Sequence, residues 1–296
     1  MSNTVVSRFQ GEIISSHPAV AVAISPDGRH AFVSVPSRNY SFLIETDTGK
    51  VVKFLPSGTM RIIKCVFSRD GKRGYCITKE KSGVSSFTVA GWAGGRLVYF
   101  DEPMRAIAVA ADGAHLYVAK GEEVVVLDSL SLGATEVTPV GGVVDSLAVS
   151  PDGLYLYILV GGKFLIASVA DWAIKSISIG AGTGCMSLSL DGRRAYVAGT
   201  YQGGTVQTID IVAEQVVASM PIKGDAKSCV LCPTGEYLYV TTDNEPLLYG
   251  IDVVGDPKLV EEINVGGNPM GVDVTPDGAR VYVCTGDFVK AVVAKR

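Results

Sequence analysis

The apolar residues of the chain come in short runs, each closed by Gly, Asp, Asn, Ser or Pro. No long window carries them at helical spacing, so the pattern predicts strands and turns. The stretch SPDGLYLYILV, Ser150 to Val160, is typical: a polar turn, then a strand of Tyr and aliphatic residues. Asp-Gly supplies the positive φ that a tight hairpin needs. The pattern recurs as SPDGRHAFVSV from Ser25, SRDGKRGYCIT from Ser68, AADGAHLYVAK from Ala110, SLDGRRAYVAG from Ser189, CPTGEYLYVTT from Cys232 and TPDGARVYVCT from Thr275. The turn glycines are Gly28, Gly71, Gly113, Gly153, Gly192, Gly235 and Gly278, spaced 39 to 43 residues apart. Seven copies at one period predict a repeat architecture.

Each copy reads as four strands. In the second, IIKCVFS is strand A, GYCIT strand B, VSSFTVA strand C and RLVYF strand D, and Pro103 opens the next copy. An aromatic residue recurs five positions after the turn Asp, from Phe32 to Tyr282, and reads as packing. Strand A is apolar on both faces. One column runs from Val22 to Val272, and the next from Ile24 to Val274. The column between them, from Ala23 to Val230, is small or apolar until Asp273 breaks it. Sheets covered on both faces fit blades stacked radially about an axis.

The last copy, ending in DFVKAVVAKR, stops after strand C, while the chain opens with an extra strand, VVSRFQGEII. This strand is expected to complete the last blade. Closure of that kind removes the open edges of an array. The expectation is therefore a single all-β domain over residues 1–296: seven four-stranded antiparallel blades in a ring closed by the N-terminal strand.

Pro-Asp-Gly followed by Tyr-Val, clearest in PDGARVYVCT and TGEYLYVTT, resembles the YVTN-type β-propeller repeat over essentially the whole chain. By repeat and blade count the chain also resembles the seven-bladed lactonase-like propellers. The resemblance implies a seven-bladed β-propeller and points to lactone hydrolysis as one reaction. Propellers host unrelated functions, so the activity has to be argued from a site.

The mouth of the channel in such a ring is bordered by the loops entering strand A and leaving strand B. Six residues before the turn Asp, the entry column is small in every copy except at Lys64. Seven before, it reads Val20, Ile63, Arg105, Asp145, Gly184, Lys227 and Met270. Nine before, it includes Arg61, Asp225 and Asn268. The loops after strand B add Arg38, Lys79, Tyr201 and Asp243. Arg61, Lys64, Arg105 and Lys227, with Asn268, Arg38 and Tyr201, are candidate ligand-binding residues for a carboxylate or phosphate. Asp145, Asp225 and His17 are candidate proton carriers. The plainer reading is a solvated loop surface on which Arg105 and Asp145 pair across adjacent blades. For Asp273 a hydrogen bond between blades and an acid or base role both stand.

Charge and composition narrow the field. The formal charge is −4, which argues against a nucleic-acid partner. No apolar run approaches the ~20 residues of a membrane-spanning helix, so no membrane role is expected. The opening MSNTVVSRFQGEII lacks the apolar core of a signal peptide, and a cytoplasmic location is expected. The six cysteines fall mostly where sibling repeats carry aliphatic residues and read as buried hydrophobes in a reducing compartment. Among three histidines, His30 and His115 share a position just after the turn, at the end opposite the proposed rim. No His-Cys set suggests zinc, and no Ser-His-Asp arrangement is visible. The glycine pairs lie at strand ends and form no phosphate loop, so no cofactor is expected.

Two readings follow. One is a monomeric cytoplasmic propeller with one anionic-metabolite site at the channel mouth, either a binder or a cofactor-free hydrolase, lyase or isomerase. The other is a non-catalytic scaffold for a protein partner. A carbohydrate binder with one site per blade would repeat a Trp motif, and Trp92 and Trp172 occur in only two copies.

Overall fold

The computed structural model describes residues 12–38, 40–56, 61–79, 82–180, 182, 184–200, 203–243 and 245–294. They form seven four-stranded antiparallel sheets, six of which follow chain order from the inner strand A to the outer strand D. Blade 2 shows the pattern, with Ile62–Phe67, Arg73–Thr78, Gly83–Thr88 and Ala93–Tyr99. Blade 1 spans residues 21–56, blade 3 104–139, blade 4 144–178, blade 5 185–221 and blade 6 226–264. Blade 7 has Pro269–Val274, Arg280–Thr285 and Val289–Val293, and its outer strand is Glu12–Ser15. Glu12 faces Ala291 and Ser15 faces Val289, so the N-terminal strand does complete the last blade. The earlier part of the proposed strand, through Gly11, lies outside the described residues.

The turns differ from the tight hairpin expected of Asp-Gly. Ser25 N–H donates to His30 C=O and Gly28 N–H donates back to Ser25 C=O, which makes a four-residue loop. Only its glycine has positive φ, +71° at Gly28 and +76° at Gly153. Asp is used for its carboxylate. In blade 4 the Ser150 hydroxyl donates to Asp152 Oδ1 and accepts the Tyr155 N–H at 2.9 Å. Asp152 Oδ1 also accepts the Leu154 N–H at 3.0 Å. The same three bonds recur at Ser25–Asp27, Ser68–Asp70, Ser189–Asp191 and Thr275–Asp277. They tie up backbone donors that the loop leaves without a ladder partner.

The core lies between blades. Tyr196 and Ala198 of blade 5 pack with Leu238, Val240 and Ile251 of blade 6. The seam is built alike: Val33, Phe42 and Ile44 of blade 1 pack with Tyr282, Cys284 and Val289 of blade 7. Each such aliphatic side chain, fully buried, contributes roughly 1.5–3 kcal/mol. Polar clasps add to the seam. The Tyr282 hydroxyl donates to Thr46 C=O at 2.9 Å, and the Arg280 guanidinium donates to Thr46 and Asp47 carbonyls.

One irregularity aims the channel mouth. In blade 3, Met104 pairs with Lys120 but Ala106 pairs with Ala119, which leaves Arg105 as an unpaired bulge. Blades 2, 4, 6 and 7 slip at the same column and bulge Ile63, Asp145, Lys227 and Met270. A bulge releases one residue from the strict alternation of the pleat and re-aims its side chain.

Candidate functional site

The inner strands enclose a cavity of about 680 Å³ along the ring axis. Its mouth is set by backbone bonds between strand A entries and strand B exits. Lys79 N–H donates to Arg61 C=O at 2.8 Å, Asp243 N–H to Asp225 C=O at 2.9 Å and Gly286 N–H to Asn268 C=O at 2.9 Å. Of the sequence candidates, Arg61, Lys64, Arg105, Asp145 and Lys227 line this cavity together, and Lys79 joins them.

The others are placed elsewhere. The His17 ring lies 5.7 Å from Tyr40 and 5.9 Å from Phe42, with Nδ1 on the Ser15 hydroxyl at 2.7 Å. Asp225 and Asn268 hold the rim by their backbones but are not among the residues lining the cavity. Arg38 is exposed at the end of the short 3-10 turn Pro36–Arg38, where Pro36 is the residue that reaches the cavity. Tyr201 lies outside the described residues.

The bulged column divides the mouth chemically. Met270, Val20 and Ile63 of blades 7, 1 and 2 make an apolar arc, and Arg105, Asp145 and Lys227 of blades 3, 4 and 6 make a charged one. Arg105 lies 3.5 Å from Asp145, with its side chain 55% exposed. A pair so open to solvent contributes only about 0–1 kcal/mol, so Arg105 stays available to an incoming anion. Lys227 sits 2.6 Å from Asp243 and holds that carboxyl below its ordinary value. Deeper in, Lys64 has neither a carboxylate nor a hydrogen-bond partner among the described residues. Burial lowers its pKa, against the opposing influence of the Cys185 and Cys229 thiols on blades 5 and 6. The Cys185 thiol donates to the Ala198 carbonyl at 3.7 Å, and its nearness together with burial raises the Cys229 pKa. An unpaired ammonium enclosed by protein favours an anion that neutralises it.

Asp273 also lines the cavity. Its Oδ2 accepts the Ile24 N–H of blade 1 at 2.7 Å and its Oδ1 accepts the Val274 N–H at 2.8 Å. Burial raises its pKa to about 6, although both amides favour the charged form. The inter-blade hydrogen bond foreseen for it is present.

Sequence reasoning missed three features: the bulge, the apolar arc and the nearness of the two thiols. The columns held all the residues concerned. Only the pairing register shows which of them leave the ladder.

A ring of seven such sheets around one cavity defines a seven-bladed β-propeller. No family model matches the chain, and no curated protein matches it. Among solved structures it is similar to a chain of the hydrazine synthase of Kuenenia stuttgartiensis, with a TM-score of 0.84, 17% identity and 99% of each chain covered. It is also similar to the β-propeller domain of Cps50 (Swd1) from Myceliophteria thermophila, with a TM-score of 0.83, 16% identity, and 96% of this chain and 100% of that one covered. At such identities the likeness carries the fold alone.

Proposed function

We propose that the propeller binds a small anionic metabolite, a carboxylate or phosphate, at the mouth of its central channel. The carrying observation is the excess of cations there. Arg61, Lys64, Lys79, Arg105 and Lys227 line the cavity against the carboxylates Asp145 and Asp273. Arg105 offers two parallel N–H donors to a carboxylate, and Lys64 supplies a point charge below it. The Met270, Val20 and Ile63 arc accepts the apolar body of the ligand.

If the site turns its ligand over, Asp145 is the carboxylate best placed to move a proton, and the reaction is a cofactor-free hydrolysis, elimination or isomerisation. The Pro-Asp-Gly and Tyr-Val pattern supports the YVTN-type, lactonase-like form of this reading. The net charge of −4 supports a propeller without nucleic-acid partners. No helix among the described residues is long and apolar enough to cross a membrane.

A second reading, a protein-interaction scaffold, has its own observation. Val52, Phe54 and Tyr99, on the outer strands of blades 1 and 2, are each more than half exposed, at 51%, 56% and 51%.

Thermal shift against sugar acids and lactones, phosphates and carboxylic acids tests the first reading. A ligand at ~100 times its Kd stabilises the folded state by about 2.7 kcal/mol. A shift lost in Arg105→Ala supports the channel site. A panel without a shift, followed by a partner captured only when Val52 and Phe54 are intact, supports the scaffold.

A further inference from the structure

Blade 2 departs from the repeat at positions that meet in space. Strand B carries Gly74 where the siblings carry Ala31, Leu116, Leu156, Ala195, Leu238 and Val281. Its strand C partner is Phe87, where the corresponding residues are Ile44, Leu127, Ala167, Ile209, Ile251 and Val292. A Cβ at Gly74 would overlap the Phe87 ring, so the glycine is what lets that ring lie down. Phe87 then stacks between Phe32 of blade 1 at 5.3 Å and Trp92 at 5.7 Å. Strand D carries Gly94 and Gly95, and nothing comes within 4 Å of a Cβ placed at Gly94.

The result is a second cavity, about 190 Å³, between blades 1 and 2 and separate from the channel. Phe32, Phe87 and Trp92 line it, with Leu55 and Leu97. Ser41, Ser85, Ser86 and Arg96 are its polar lining residues, and the Ser86 hydroxyl already accepts the Arg96 N–H at 3.0 Å. The Ser41 hydroxyl is buried, 1% exposed, and has no hydrogen-bond partner among the described residues. The Arg96 side chain stands exposed at the opening, with no ion pair among the described residues. A buried hydroxyl without a partner in an aromatic cleft is unfavourable unless a ligand atom completes it. The cleft is of the size that takes one aromatic ring, given that a dry engineered cavity of about 150 Å³ holds benzene.

We propose that this cleft is a binding site for a small phenolic acid. The ring lies among Phe32, Phe87 and Trp92, the phenol group meets Ser41, and the carboxylate meets Arg96. Aromatic walls select a flat ring, and Ser41 and Arg96 select what it carries. The site is independent of the channel reading.

The test titrates the Trp172→Phe protein, in which Trp92 is the remaining tryptophan, with 4-hydroxybenzoate, benzoate and phenol. Saturable quenching by 4-hydroxybenzoate is expected. Ser41→Ala should weaken 4-hydroxybenzoate about tenfold and leave benzoate nearly unchanged. Arg96→Gln should weaken both acids and spare phenol. Arg105→Ala should leave all three unchanged, because it belongs to the channel. Absence of saturable quenching at millimolar ligand overturns the proposal, as does quenching insensitive to both Ser41→Ala and Arg96→Gln. Binding lost in Arg105→Ala assigns the acid to the channel and overturns it too. Circular dichroism of each variant verifies that the ring is intact.

Discussion

Asp273 Oδ2 accepts the backbone N–H of Ile24 at 2.7 Å, across the seam where the last blade meets the first. Ser187 does the same between blades 5 and 6, where its hydroxyl accepts the Leu231 N–H at 3.0 Å. Both residues occupy the middle column of strand A. The inner edge of a propeller blade has no further strand to pair with, so its amides depend on water or on a neighbour's side chain. A carboxylate at the seam is the charged version of a contact that blade 5 makes with a hydroxyl.

The raised pKa of Asp273 gives the seam a pH dependence. The folded value is about 6, against an ordinary 3.8. A carboxyl with a raised folded pKa contributes stability that is fully present below pH ~4 and is lost as pH rises through ~6. The loss amounts to about 1–3 kcal/mol for a group that still meets channel water. Asp273→Asn removes that titration. Urea unfolding at a series of pH values should show the wild-type advantage over Asp273→Asn shrinking between pH 4 and 7. A constant difference would contradict it.

At the channel mouth, Arg105→Ala should weaken an anionic ligand by one to two orders of magnitude, as expected for a lost charged hydrogen bond of about 1.5–3 kcal/mol. Lys227→Ala should do less, because Lys227 already holds Asp243 at 2.6 Å. Calorimetric titration separates the two. Equal losses would mean that the Lys227–Asp243 pair opens to receive the ligand.

The turn carboxylates make the fold acid-sensitive. Ser hydroxyls and backbone amides lower the pKa of Asp152 and Asp191. Their folded pKa is depressed, so their contribution is present above pH ~4 and fades as pH falls through the folded value. Ser150→Ala and Asp152→Asn should each destabilise by about 1 kcal/mol at neutral pH. The Asp152→Asn deficit should narrow at pH 2.5. Thermal melts at the two pH values measure it, and a deficit that stays constant would remove the carboxylate from the account.

Deleting residues 1–16 takes away the outer strand Glu12–Ser15 and bares the edge of Val289–Val293. Aggregation or a large fall in unfolding midpoint is expected, because an unpaired edge recruits other chains. Size-exclusion chromatography and urea unfolding provide the comparison. A monomeric truncation with the full-length midpoint would show that the ring does not need its fourth strand there.

Much of this was legible in the chain because a repeat aligns with itself. Counting from the turn aspartates put Arg105, Asp145 and Lys227 into one column, and the structure has them lining one cavity. The bulge that aims them was not legible. Five blades insert the extra residue at the same place, so the spacing stays regular and the slip leaves no trace in it. His17 was misplaced for a different reason. It precedes strand A by a few residues, as a rim residue would, but its ring packs against Tyr40, Phe42 and Phe54. That choice is made by aromatic packing, which a column count does not register. Asp225 and Asn268 sit where the count put them, yet they serve the rim through main-chain carbonyls.

The bulge also separates two jobs that strand residues usually share. Elsewhere in strand A a substitution must satisfy both the pairing ladder and the neighbouring blade. At Ile63, Arg105, Asp145, Lys227 and Met270 the side chain is released from the ladder and lines the cavity. The mouth of this ring can therefore be rewritten one blade at a time, in charge or in shape, while the walls beneath it stay as they are.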